Sequence, residues 1–195
     1  MAGEPHRITL AEKPMRNCPG LFLDRDGTLM EDPGYVSDPD QVRLIPGVVD
    51  ALKRFRAANY ALVVVTNQSG IGRGLYGWDD YEAVAARLAG LLAGEGVVVD
   101  AVLACAHAPD ERPPCAWRKP APGMIHEAAA LLALDLKRSL LVGDKLSDLR
   151  AAEAAGLPRA FHAETGQGAR ERAAVGAWKP TIAVGRIDSL ATLAP

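Results

Sequence analysis

The chain has 195 residues, 49% of them apolar, enough for one domain with a substantial core and at most a modest insertion. Its formal net charge of −2 gives no reason to expect a nucleic-acid partner, and no apolar run approaches the roughly 18 residues a membrane helix needs. Three cysteines, an odd number, fit a reducing, cytoplasmic setting better than a disulfide framework, and a monomer is expected.

Met1 to Asn17 mixes charges with prolines and lacks the apolar centre of a secretory signal, so it reads as a loosely held lead-in to a single domain, residues 18–195. Leu21 to Leu23 is a short apolar run that stops at Asp24-Arg25-Asp26-Gly27, a buried strand or a fragment of helix. As a strand it would lean Asp24 and Asp26 to the same side. Met30 to Leu44, rich in Asp, Pro and Gly, predicts a loop or flap over the end of that strand, a minimal cap. Pro46 opens a helical pattern carried by Val48, Val49, Leu52 and Phe55.

Ala61 to Val65 is the second buried run, and it also ends in polar residues, Thr66-Asn67-Gln68-Ser69-Gly70. Trp78 to Glu95 predicts a helix with Tyr81, Val84, Leu88, Leu91 and Leu92 inward. A third strand falls within Val97 to Ala106, an irregular Pro-rich stretch runs from His107 to Pro122, and Gly123 to Leu134 is the next helix. Leu140 to Val142 is a fourth strand ending in Gly143-Asp144. Ser147 is a candidate cap for the helix that follows, which stops at Gly156. Arg159 to His162 and Thr181 to Val184 read as short edge strands with loose polar sequence between them.

Strands alternating with helices imply an α/β protein, a Rossmann-like three-layer sandwich around a mostly parallel sheet. Ligands bind such sheets beyond the carboxyl ends of the strands. Asp24, Thr66 and Asp144 each follow an apolar run and should therefore converge at one edge. Paired carboxylates repel and need a cation or a shared proton. A magnesium ion would supply the charge and a phosphate ester the substrate, although Asp-x-Asp-Gly also serves plain surface turns.

Taken together, Asp24-Arg25-Asp26-Gly27-Thr28, Thr66-Asn67, Lys119 and Gly143-Asp144-Lys145 with Asp148 resemble the haloacid dehalogenase superfamily of phosphohydrolases. The resemblance implies that Asp24 attacks phosphorus and carries an aspartyl-phosphate, and that Asp26 handles protons as general acid and base. It implies magnesium held by the Asp24 side chain, the Asp26 carbonyl and Asp144, with oxygen ligands that suit a hard ion. Thr66 and Lys119 would donate to the phosphoryl oxygens, and Asp148 would orient the site.

A narrower likeness, to the branch that acts on heptose bisphosphates in lipopolysaccharide-precursor synthesis, rests on Asp32-Pro33-Gly34-Tyr35-Val36, on the run from Val65 to Gly74, and on Arg118-Lys119-Pro120-Ala121-Pro122-Gly123-Met124. It implies that Asp32, Gly34, Tyr35, Asn67, Gln68, Ser69, Arg118 and Lys145 line the substrate pocket. Arginine suits a second phosphate through its planar fork. Histidinol-phosphate phosphatases and other small sugar-phosphate phosphatases share the same motifs and are the alternative.

Relatives in this branch carry a zinc loop, Cys-x-His and then Cys-x-Cys. Here Cys105, His107 and Cys115 match, but Trp117 stands at the fourth ligand position. Zinc on three ligands plus water, Asp110 or Glu111 is one reading. Buried thiols in a loop stiffened by Trp117 and its prolines is the other, and the balance leans against tightly held zinc.

Overall fold

The computed structural model describes residues 6–195, and the order of its elements follows the alternation of apolar runs. Strand β1 (His6–Leu10) is followed by β2 (Gly20–Leu23), α1 (Val48–Ala57), β3 (Ala61–Asn67), the single turn α2 (Ser69–Gly72) and α3 (Trp78–Gly94). Then come β4 (Ala101–Cys105), α4 (Gly123–Leu132), β5 (Leu140–Gly143), α5 (Leu146–Ala154), β6 (Arg159–Ala163), α6 (Gly168–Ala177) and β7 (Ala183–Ile187). Among the described residues the seven strands form one sheet in the order β1-β4-β3-β2-β5-β6-β7, parallel except for β1.

The pleat divides the core in two. Leu21, Leu23, Leu62 and Val64 face one side with Leu52 and Phe55 of α1 and Val84 and Leu88 of α3. Phe22, Val63, Val65 and Leu141 face the other, against Met124, Ile125 and Ala128 of α4 and Leu149 and Ala152 of α5. Strands buried on both faces read as unbroken apolar runs, which is why β2, β3 and β5 stood out in the sequence. No helix among the described residues is long and apolar enough to cross a membrane.

Four elements differ from expectation. The lead-in is not loosely held: its residues 6–10 form β1, which pairs with β4, while the residues before them lie outside the described ones. That strand exposes Ile8 and Leu10, so it carries little of the burial that makes a strand legible. Of the two strands read as edges, β6 is internal, flanked by β5 and β7, and β7 alone lies at an edge, opposite β1. Helix α6 occupies part of the stretch read as loose. It buries only Gly168 and Val175, and without an apolar stripe there is no period to find. Finally, Lys145 and not Ser147 caps α5, and its N–H donates to Asp148 Oδ2 at 3.0 Å.

Asp100 fastens the sheet at the N-terminal ends of β3 and β4. Its buried carboxylate accepts the Leu62 N–H and the Met15 N–H, each at 2.7 Å, and pairs with Arg56 at 2.8 Å. Met15 belongs to the lead-in, so one side chain ties β3, α1 and the N-terminal segment together. Asp100→Ala should lower stability by about 1–3 kcal/mol for the stranded Leu62 donor alone, measured by denaturant unfolding. A loss within error would mean that water replaces the carboxylate.

Candidate active site

Asp24 follows β2, Thr66 and Asn67 end β3, and Asp144 follows β5, so parallel pairing delivers all of them to one edge of the sheet. The Asp24 N–H donates to the Val142 carbonyl at 3.0 Å, which holds the two acidic strand ends abreast. Lys119 reaches this edge from the long connection between β4 and α4.

Lys119 is the hub. Its buried ammonium has three protons and three oxygens around it: Asp24 Oδ1 at 2.8 Å, Asp148 Oδ1 at 2.7 Å and the Val65 carbonyl at 2.7 Å. Burial opposes its charge, but Asp148 and Asp24 outweigh burial and lift its pKa above the ordinary lysine value. Burial would likewise raise Asp24, yet Lys119 and Lys145 overcome it and hold that carboxyl below the usual range. Asp24 is thus an ionised carboxylate, fit to act as a nucleophile.

Asp144 lacks such relief. It is fully buried; its Oδ2 accepts the Gln167 N–H at 2.7 Å, while its Oδ1 has no hydrogen-bond partner among the described residues. Burial and the neighbouring Asp24 push its pKa up to about 8. Oxygens of Asp24, Asp144 and Asp148 all lie within 4.8 Å of one another. An orphaned carboxylate oxygen beside two more carboxylates fits a hard divalent cation, which Asp24 and Asp144 would hold, since both Asp148 oxygens are engaged, one by Lys119 and the other by the Lys145 N–H. Gly27, at a φ of 81°, leaves the room this needs, because a Cβ there would collide with the Asp144 carboxylate.

Asp26 does not join this cluster. Strand β2 stops at Leu23, so the period of two does not carry through, and the Asp26 carboxylate turns to Arg25 at 2.9 Å and to Gln68 Nε2 at 2.9 Å. Gln68 also donates to Thr66 Oγ1 at 2.7 Å and accepts from Arg25 and from the Tyr76 hydroxyl. Arg25 and Tyr76 had no role in the sequence reading. Arg25 lies inside the acidic motif, but nothing in the pattern tells a buried arginine from an exposed one.

A pocket of about 670 Å³ opens beside the cluster, lined by Asp26, Lys119, Arg118, Lys145, Tyr35 and Gln167 among others. Asp32, Gly34, Gln68 and Ser69 also line it, and Tyr35 is half exposed at its rim. Asn67 lies at the wall, but both ends of its amide are taken by the Lys119 backbone, each at 3.0 Å, so it positions that residue. Arg118 is steadied by the His107 carbonyl at 2.6 Å, and Lys145 sits 3.6 Å from Asp32. Cys105, His107 and Cys115 do come together, and His6 joins them.

The raised Asp144 pKa has a measurable consequence. Without a cation, this carboxyl keeps its proton up to about pH 8 in the fold but releases it near the ordinary value of 3.8 when unfolded. The folded state therefore binds more protons between these limits, and this group's contribution to stability falls as pH rises through them. A divalent cation replaces the proton, so the gain in Tm on adding magnesium should be larger at pH 8 than at pH 5. An equal gain at both would argue that no acidic proton is displaced.

The comparisons with known proteins agree with this arrangement. A family profile described as HAD-hydrolase-like matches residues 116–193. The D-glycero-beta-D-manno-heptose-1,7-bisphosphate 7-phosphatase of Mesorhizobium japonicum is 50% identical over 150 residues, covering 74% of this chain and 69% of that protein. Its Salmonella typhi counterpart is 41% identical over 157 residues, 78% and 84% of the two chains. Among solved structures, the D,D-heptose 1,7-bisphosphate phosphatase from B. bronchiseptica, complexed with magnesium and phosphate, matches with a TM-score of 0.78 at 37% identity, covering 88% and 94%. A HAD-like phosphatase from Mesorhizobium loti matches with the same TM-score at 45% identity, covering 83% and 81%. The chain belongs to the haloacid dehalogenase superfamily of phosphatases, in the family of the heptose-1,7-bisphosphate 7-phosphatases.

Proposed function

We propose that this phosphatase is magnesium-dependent and removes the 7-phosphate of D-glycero-D-manno-heptose 1,7-bisphosphate through an aspartyl-phosphate. The observation that carries the chemistry is a single buried lysine bridging Asp24 and Asp148, beside an Asp144 carboxylate with an unpartnered oxygen. The relatives' substrate and the magnesium of the B. bronchiseptica enzyme support the rest.

Asp24 and Asp144, with the Asp26 carbonyl, would hold magnesium, which would offset the negative charge gathered between carboxylates and phosphate. An Asp24 oxygen attacks phosphorus as the bond to the sugar oxygen breaks, and Asp26 gives its proton to that oxygen. Asp26 then takes a proton from water, whose oxygen displaces Asp24 from phosphorus and releases inorganic phosphate. Since Asp26 rests on Arg25 and Gln68, both proton steps require its side chain to turn toward the substrate. Thr66 donates to a phosphoryl oxygen, and Lys119, whose three protons all have partners at rest, shifts the one it gives Asp24 to a phosphoryl oxygen as the Asp24 charge is lost to the ester.

Asp24→Asn should reduce phosphate release to below about a thousandth of wild type, as expected when a nucleophile is lost, with the fold intact by circular dichroism. Turnover near normal would remove the nucleophile assignment. Arg118→Ala should raise KM for the bisphosphate by about 10–100-fold, the range for one charge-assisted hydrogen bond, and leave a 7-monophosphate analogue little changed. Equal losses on both would deny Arg118 the second phosphate. Phosphate release from a panel of both heptose bisphosphate anomers, histidinol phosphate and several sugar phosphates tests the substrate directly.

A further inference from the structure

The loop that carries Arg118 and Lys119 contains half of a second cluster, and the other half comes from one end of the β1–β4 pair, the start of β1 and the end of β4. The donor atoms of His6, Cys105, His107 and Cys115 all lie within 4.8 Å of one another. His6 Nε2 is 3.1 Å from Cys115 Sγ, Cys105 Sγ is 3.4 Å from His107 Nδ1, and the two sulfurs are 3.7 Å apart. Tetrahedral zinc, with bonds of about 2.3 Å to sulfur and about 2.0–2.1 Å to nitrogen, sets its donors roughly 3.3–3.8 Å apart. Two thiols and two imidazoles at these separations fit that ion.

We infer that this chain holds a structural zinc ion through His6, Cys105, His107 and Cys115, with the N-terminal strand supplying the ligand that the loop lacks. Backbone register places it there, since His6 pairs directly with Cys105 in the antiparallel β1–β4 ladder, and paired residues project to the same face. Trp117 has a new task in this arrangement: its ring stacks on His6 at 4.5 Å, with 21° between the planes, and fixes the imidazole. The Trp117 N–H also points at Cys115 Sγ, at 3.3 Å. On the far side of His107, the Glu111 carboxylate faces Nε2 at 3.8 Å, where a carboxylate steadies a ligating imidazole.

The ion's role follows from what it joins. Arg118 N–H donates to the Cys115 carbonyl, and Arg118 itself is held by the His107 carbonyl. Zinc would therefore lock β1 to the loop that presents Arg118 to the pocket, with no part in the chemistry at Asp24.

Full-length protein purified without added metal should contain about one zinc per chain. His6→Ala should weaken zinc, measured against a chromophoric chelator, by more than the roughly 10–100-fold typical of losing an outer-shell partner. His6→Cys should retain it and alter the visible spectrum of the cobalt-substituted protein. Chelation should speed amide exchange in residues 6–10 and 105–115 together. The proposal is overturned by zinc-free protein with free thiols or a Cys105–Cys115 disulfide, or by unchanged zinc affinity in His6→Ala. Asp24→Asn should bind zinc as wild type does, so failure here leaves the phosphatase reading untouched, and the reverse.

Discussion

The site depends on one ammonium kept in a place where water cannot reach it. Lys119 is buried, and each of its protons has an oxygen to meet, two of them on carboxylates. Remove the lysine and Asp24 and Asp148 become two like charges in a desolvated space; remove either carboxylate and a buried cation is left short of a partner. This mutual dependence explains the surrounding detail. Asn67 clamps the Lys119 backbone from both sides, and Asp148 is itself fixed by the Lys145 N–H, so the charges cannot drift apart.

Around that pair the charges do not balance, and the imbalance is where the chemistry lies. Asp144 is left with an unpartnered oxygen in a buried position, a costly arrangement for a fold unless something positive completes it. Lys145 stands 3.8 Å away, near enough to temper the charge but not to satisfy the oxygen. A phosphatase that must hold an anion against its own carboxylates needs such a deficit, because the cation that fills it also draws in the substrate's phosphate.

Much of this was legible in the sequence, for a physical reason. Strands β2, β3 and β5 are buried on both faces, so each is an unbroken apolar run, and a polar residue at its end can only be a turn or a site. Asp24, Thr66 and Asp144 were found this way. What escaped notice was of another kind. Strand β1 leaves Ile8 and Leu10 exposed and pairs through its backbone, and α6 buries almost nothing, so neither imposes a pattern. Tyr76 and Gln167 act through a single hydroxyl and a single N–H, contacts that no spacing announces. His6 lies 99 positions before Cys105, and only the antiparallel register brings the two side by side.

The glycine at position 27 has an effect that reaches past its own turn. A methyl added there or at Gly166, in an adjoining loop, would strike the Asp144 carboxylate. The two backbones act as a mould that leaves the carboxylate no room on their side. The position of Asp144 is thereby cast by the fold itself, the kind of fixed charge that costs no reorganisation when a ligand arrives.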